Sequence, residues 1–172
     1  MNAVKTVVLA AALAAGAAAR AEVTAVGAGG FVVRHEAVYA GTGDAAWRRL
    51  LEPAAWWDPE HTYSHDARNL TLEARPGGCF CERLADGGFV RHLDVTYLAP
   101  GRLLRLAGGL GPLQRMGVAG ALTFSLAAAD PGHTRIVLEY AVSGFAPAGF
   151  AELAAAVDRV LGEQLARLAA GN

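Results

Sequence analysis

Lysine is almost absent from this sequence, and basic residues are not in excess. Lys5 is the only lysine among 172 residues, and 15 basic residues stand against 16 acidic ones, so the formal net charge is −1. Proteins that bind nucleic acid or anionic lipid through charge carry a basic patch or a basic excess. The composition therefore predicts neither kind of partner.

Three motifs that would indicate a specific chemistry are also missing. The sequence has no G-x-S-x-G nucleophile elbow, no H-E-x-x-H zinc motif and no G-x-x-x-x-G-K-[ST] phosphate loop. The glycine-rich stretch GGLGPLQRMG at 108–117 lacks the strand-to-helix context that nucleotide binding requires. We therefore expect no cofactor.

Only two cysteines are present, and they stand two positions apart. Cys79 and Cys81 share a predicted strand face with His92 and Asp94, which are zinc-ligand types. C-x-C is shorter than the usual ligand spacing, so we predict no metal site. Positions i and i+2 of an extended strand lie near the upper limit for a disulfide, so the pattern favours two free cysteines over a bridge.

The first segment is apolar but short. Its uncharged run extends from Thr6 to Ala19, less than the ~20 residues of a membrane span, and is followed by a small-residue site around Arg20. We predict a signal peptide over residues 1–21, cleaved after Ala21, and a single domain over 22–172. The protein would be periplasmic or secreted, with no membrane span after cleavage. An uncleaved anchor or an alanine-rich helix is the alternative.

The remaining chain alternates strand-like runs with turn signals. Asp44 is a plausible N-cap of a first short helix at about 45–51, and Pro53 separates it from a second at 54–57. Predicted strands cover 31–40, 69–74, 79–84, 89–98, 102–108, 118–128 and 134–145. The C-terminal segment repeats apolar residues at helical spacing. This order predicts an α+β fold: a curved antiparallel sheet of about six to seven strands around a long C-terminal helix, with two short helices after strand one.

The order of elements resembles the START-like, pollen-allergen-like helix-grip superfamily (SRPBCC) along residues 22–172. Within it, WWDPEHTYSHDARNL (56–70), GGCFCE (77–82) and GALTFSL (120–126) are similar to the polyketide cyclase/dehydrase and chaperone-ATPase-activator-homologue branches. The resemblance implies a sheet that grips the long helix around a cavity for hydrophobic small molecules or lipids. It transfers no catalytic residue.

The hairpin at 79–98 contains the candidate acid/base groups. A two-residue turn at Asp86-Gly87 would place Glu82 opposite Arg91 on the cavity face, with His92 on the other face. This pair is either a structural ion pair or a group that orients a ligand or moves a proton. A three-residue bulged loop would instead bring His92 onto the face of Glu82.

Further candidates lie near the expected cavity. The loop WWDPEHTYSHD supplies Trp57 and His61, and the second strand of the hairpin places Tyr97 on the predicted cavity face. Arg115 is a possible polar contact in the 108–117 connection. The apolar residues of that connection are predicted to cover the cavity entrance: Leu110, Leu113 and Met116.

The sequence therefore favours a protein that binds a hydrophobic small molecule or lipid. Two other functions stay open. One is an enzyme similar to a polyketide cyclase or dehydrase, in which Glu82, His92 or His61 moves a proton. The other is a module that binds a protein partner through an exposed apolar patch.

Overall fold

The computed structural model describes residues 20–171. Within this range eight strands form one antiparallel sheet. The strands are β1 Arg20–Gly27, β2 Gly30–Tyr39, β3 Leu70–Leu72, β4 Cys79–Arg83, β5 Phe89–Ala99, β6 Leu103–Gly108, β7 Val118–Ala128 and β8 Thr134–Gly144. Their order across the sheet is β1-β2-β8-β7-β6-β5-β4-β3, so the sheet is open, with β1 and β3 at its edges.

Two α-helices and several 3-10 turns complete the described part of the chain. They are α1 Gly43–Leu50, the 3-10 turns Pro53–Ala55, Pro59–His61, Ala67–Asn69 and Gly111–Met116, and α2 Ala151–Ala170. The predicted fold class is confirmed: an α+β helix-grip arrangement of a sheet and a long C-terminal helix. No helix within residues 20–171 combines the length and apolar character that crossing a membrane would require.

The edge strand β1 was not among the predicted strands. It pairs with β2 through a tight hairpin in which Gly27 lies opposite Gly30. Residues 1–19 lie outside the described range, and most of the predicted signal peptide falls there. The predicted cleavage point after Ala21 lies inside β1, so cleavage would shorten this strand by its first two residues.

The segment between β2 and β3 begins differently from the prediction. Thr42, not Asp44, is the N-cap of α1, and its hydroxyl accepts a hydrogen bond from the Ala45 N–H at 3.3 Å. After α1 the chain makes a series of 3-10 turns, because Pro53 and Pro59 cannot continue a helix. Arg49 ties the segment to the end of α2 by donating to the Leu168 carbonyl at 2.9 Å.

Helix α2 buries one face against the sheet, as its spacing predicts. Its buried residues are Ala154, Val157, Leu161, Gln164, Leu165 and Leu168. The helix packs mainly over β2 and β1 rather than over the middle of the sheet. Space therefore remains between α2 and the strands on the other side.

The β4–β5 hairpin has a three-residue loop, and this changes the register. The Leu84 N–H donates to the Gly88 carbonyl at 2.9 Å, which leaves three residues in the loop, with Gly87 at φ 83°. Cys79 is paired with Asp94 as predicted, but Cys81 lies opposite Arg91 and His92 is left over in a bulge. The predicted Glu82–Arg91 pair is therefore wrong, and the bulged-loop alternative describes the hairpin.

The two cysteines form a disulfide, contrary to the favoured prediction of free thiols. Cys79 and Cys81 have a Cα–Cα distance of 5.5 Å. Two residues of a fully extended strand span about 6.6–6.8 Å, so β4 is contracted at Phe80 and the cysteines come within bridging distance.

Candidate functional site

A cavity of about 350 Å³ lies between α2 and the inner face of the sheet. Its walls are mostly apolar, with Phe80 on β4, Val157 and Leu161 on α2, and Leu110 and Leu113 from the connection before β7. Glu60, His61 and Tyr63 from the loop after α1 also line it. Pockets of this size and character are typical of small-molecule sites.

Hydrogen bonds hold the loop at 57–66 in place. The Trp57 indole N–H donates to the His61 carbonyl at 3.0 Å, and the Asp58 N–H donates to the Gln164 side-chain oxygen of α2 at 2.7 Å. The Thr62 hydroxyl donates to the Pro59 carbonyl at 2.7 Å. Because these bonds connect the loop to itself and to α2, the polar residues it contributes have defined positions around the cavity.

Glu82 is the buried anchor of that loop. Its carboxylate accepts hydrogen bonds from the N–H groups of Tyr63 at 3.2 Å and Ser64 at 2.5 Å, and it lies 3.1 Å from His92 Nε2. Burial alone would raise the pKa of Glu82, but the hydrogen bonds from Ser64, Tyr63 and His92 together outweigh burial and hold the pKa below its usual value. Glu82 is therefore an ionised, fully bonded carboxylate behind the cavity wall.

His92 connects Glu82 to the connection before β7. Its Nδ1 accepts a hydrogen bond from the Gly111 N–H at 3.3 Å, which assigns the ring proton to Nε2, facing Glu82. Burial lowers the pKa of His92, against the opposing effect of Glu82. The imidazole is neutral and both nitrogens are engaged, so His92 suits loop positioning better than proton transfer.

Tyr140 is a cavity residue that the sequence analysis missed. Its hydroxyl donates to the Gly108 carbonyl at 3.0 Å and accepts from the Leu110 N–H at 3.1 Å. Burial raises the pKa of Tyr140, with the Leu110 hydrogen bond acting in the opposite direction. The alternation of residues in β8 could have indicated it, because Tyr140 falls on the same strand face as the apolar residues Ile136, Leu138 and Val142.

The predicted site residues separate into two groups. Trp57 and His61 line the cavity, and His61 Nε2 lies 3.3 Å from a carboxylate oxygen of Glu163 on α2. Glu82 lies directly behind the wall formed by His92 and the neighbouring Phe80.

Three other predicted ligand-binding residues do not line the cavity: Arg91, Tyr97 and Arg115. Arg91 is exposed and paired with Asp94, because the bulge shifts the register. Tyr97 is 52% exposed and lies opposite Arg105, whose guanidinium is 5.8 Å from the Tyr97 ring centroid on the outer face. A second register shift, between Val95 and Tyr97, is the reason.

The connection before β7 contributes only part of what was expected. Leu110 and Leu113 line the cavity, as predicted for a covering segment. Met116 is exposed and does not line it, and Arg115 is exposed as well. The 3-10 turn over Gly111–Met116 explains the difference, because it directs its first half toward the interior and its second half toward solvent.

The metal-ligand set considered from the sequence does not assemble. Cys79 and Cys81 are joined to each other, and the bulge turns His92 to the inner face, away from Asp94. Within residues 20–171, no group of three histidine, cysteine or acidic side chains is placed to hold a metal ion.

Solved structures share this fold at low sequence identity. Mll3558 from Rhizobium loti has a TM-score of 0.59 at 17% identity, covering 91% of this chain and 100% of its own. CalU16 from Micromonospora echinospora has a TM-score of 0.55 at 16% identity, with coverage of 88% and 80%. DynU16, a protein in the dynemicin biosynthetic locus, has a TM-score of 0.55 at 19% identity, with coverage of 81% and 46%.

These similarities establish the fold and no more, because identities are below the level at which function follows. No family model matches the chain, and no curated protein matches it.

Proposed function

We propose that this protein binds an apolar small molecule or lipid in the cavity between sheet and α2. The observation that carries the proposal is the state of the polar side chains around the cavity. His92, Tyr140 and Thr62 have their polar atoms bonded to the protein itself. A polar ligand would find few free partners inside, whereas an apolar one loses no hydrogen bonds by entering.

A polar end of the same ligand is best accommodated at the edge formed by Glu60 and His61. His61 is only partly buried, and its partner Glu163 is more exposed still. Charged groups at such a position stay hydrated and can contact a ligand headgroup without the cost of full burial. The proposed ligand is therefore amphipathic, with its apolar part inside.

The structural neighbours add a weaker argument for a small-molecule function. DynU16 belongs to a biosynthetic locus for a small molecule by its description, and CalU16 shares the fold. Membership of the SRPBCC superfamily is part of this proposal. A cyclase-like reaction has less support, because Glu82 and His92 are both engaged in internal hydrogen bonds.

Export of residues 22–172 is also part of the proposal. The Cys79–Cys81 disulfide supports it, because disulfides persist in oxidising compartments such as the bacterial periplasm. N-terminal sequencing of the protein from its native source tests this point. A mature chain that begins at Glu22 is the expected result, and a chain that retains residues 1–21 would contradict export with cleavage.

Binding is tested with a pair of matched substitutions on α2. Both Ala155 and Ala156 are exposed on α2, but of the two only Ala156 lines the cavity. Ala156→Trp should fill part of the cavity and weaken binding of the fluorescent amphipathic probe 1-anilinonaphthalene-8-sulfonate at least about tenfold. Ala155→Trp adds the same side chain outside the cavity and should bind like the parent protein.

Fluorescence titration gives both dissociation constants, and circular dichroism checks that both variants are folded. Equal weakening by the two substitutions, or no saturable binding by the parent protein, would contradict the cavity as a binding site.

A further inference from the structure

The Cys79–Cys81 disulfide closes a very short loop, with a sequence separation of 2 and one residue, Phe80, between the cysteines. In the chain-entropy account, the stabilisation from a disulfide grows with the length of the loop it closes. A bridge across one intervening residue therefore contributes little global stability by this route. Its main effect is local, on the backbone of Phe80.

Phe80 is a cavity-wall residue. Its ring centroid lies 5.2 Å from that of Trp57 and 5.2 Å from that of His92, and its side chain is buried. The cysteines before and after it are half-buried. Because strand side chains alternate, the disulfide lies on the outer face of β4 while Phe80 lies on the inner face.

The next residue after the bridge is Glu82, the anchor of the loop at 57–66. The register shift that places His92 against Glu82 occurs between Phe80 and Cys81, within the span closed by the bridge. The disulfide thus constrains β4 at the level where both the cavity wall and the buried Glu82–His92 pair are positioned.

From this arrangement we propose that Cys79 and Cys81 form a reversible thiol–disulfide exchange site whose redox state sets the affinity of the cavity. With the bridge closed, Phe80 and Glu82 are held in place. With the bridge open, β4 is free to extend at Phe80, and the cavity wall and the loop anchored by Glu82 lose their fixed positions. The ligand-affinity part of this inference rests on the proposed binding function.

The exchange needs a dithiol reductant. One thiolate of the reductant attacks a cysteine sulfur, the Cys79–Cys81 bond breaks, and the second cysteine leaves as a thiolate that takes up a proton. The other thiol of the reductant, once deprotonated, then attacks the mixed disulfide. The second protein thiol is released and the reductant becomes a disulfide, so two electrons and two protons pass to the protein.

The test compares the oxidised protein with the same protein reduced by dithiothreitol, without denaturant. Iodoacetamide labelling and intact mass report whether the bridge opens in the folded protein. Amide hydrogen exchange of 79–83 and 90–94 should accelerate at least about tenfold on reduction, while α2 and β2 keep their protection. The dissociation constant of 1-anilinonaphthalene-8-sulfonate should rise at least about threefold.

The control is the double variant Cys79→Ser/Cys81→Ser. Its amide hydrogen exchange rates and its affinity for the probe should resemble those of the reduced protein. Dithiothreitol should change neither quantity. A disulfide that stays closed in the folded protein would overturn the inference. Equal rates of amide hydrogen exchange in the oxidised and reduced protein would overturn it as well. Faster exchange at 79–94 with unchanged affinity would overturn the coupling to the cavity.

The exchange measurement also separates this inference from the proposed function. If the oxidised protein shows no saturable probe binding, the proposed function fails, and the redox control of β4 is still decided by the exchange rates.

Discussion

Two buried histidines in this protein face carboxylates, and their surroundings differ. His92 lies 3.1 Å from Glu82, and the remaining polar atoms of both side chains accept hydrogen bonds from backbone N–H groups. His35 on β2 lies 3.0 Å from Asp158 on α2, close enough for an ion pair. This approach is not aligned as a hydrogen bond, and neither ring nitrogen has another hydrogen-bond partner in the part of the chain that the structure describes.

The difference shows what each pair contributes. The Glu82–His92 pair accepts hydrogen bonds from backbone N–H groups of two segments that line the cavity. These hydrogen bonds take the place of those that the buried polar groups would otherwise make with water. The His35–Asp158 pair lies beneath α2, where the lack of a side chain at Gly162 leaves room for the imidazole ring. The first pair positions a site, and the second mainly fills space between helix and sheet.

Burial lowers the pKa of both histidines, and the nearby carboxylate opposes this effect in each case. Both are therefore neutral near neutral pH. The comparison can be tested by disturbing each pair in turn.

The largest effect is expected for Glu82→Gln. The amide would remove the buried negative charge and leave N–H groups of Tyr63 and Ser64 competing for one acceptor. We expect the free energy of unfolding to fall by about 3 kcal/mol, because breaking a buried charged network leaves unpaired groups. Urea unfolding followed by circular dichroism measures the change.

Asp94→Asn is the matched control for Glu82→Gln. Asp94 pairs with Arg91 on the exposed side of the same hairpin, so its loss should cost less than about 1 kcal/mol. If the two variants lose similar amounts of unfolding free energy, Glu82 contributes no more to stability than an exposed carboxylate does.

The two buried histidines should also make the stability of the protein depend on pH. An unfolded histidine takes up a proton below pH 6.5, the ordinary value, whereas the native forms of His35 and His92 resist protonation until lower pH. The unfolded state then binds more protons, so the free energy of unfolding should fall with decreasing pH. Each histidine contributes up to about 1.4 kcal/mol per pH unit.

Urea unfolding at a series of values from about pH 8 down to about pH 5 measures this slope. His35→Gln should remove one histidine's share and leave that of His92. A flat profile below pH 6.5, or an unchanged slope in the variant, would contradict the lowered pKa of His35.

The smallest effect is expected for Gly162→Ala. In a helix interior this change normally stabilises by about 1 kcal/mol. Here the new Cβ would lie 2.9 Å from His35 Cε1 and 3.2 Å from Nδ1, and the ring is fully buried, so we expect a loss of about 1 kcal/mol.

In a His35→Ala background the same Gly162→Ala change should stabilise, because the obstacle is gone. A double-mutant cycle of unfolding free energies measures this reversal of sign. An additive result would mean that Gly162 and His35 are not in contact.

Much of the fold could be predicted from the sequence because the signals are local. Alternating apolar residues in 118–128 and 134–145 and the helical spacing of 151–168 each reflect one buried face. The edge strand β1 was missed because its first residues overlap the predicted cleavage site.

The site was harder to predict, since its geometry depends on single-residue differences. A hairpin loop of three residues instead of two moves Arg91 to the outside and His92 to the inside, because strand side chains alternate with a period of two. A second register shift moved Tyr97 outward in the same strand. No pattern in the sequence distinguished these registers.

The sequence by itself determined the α+β class, the order of strands and helix, and the apolar faces that meet in the core, because burial imposes a periodicity that can be read along the chain. Only the tertiary structure decided that Trp57, His61, His92 and Tyr140 surround one cavity, that Glu82 is bonded to the loop at 57–66, and that the cysteines are joined. These contacts join residues far apart in sequence or depend on exact strand register, and local pattern carries no information about either.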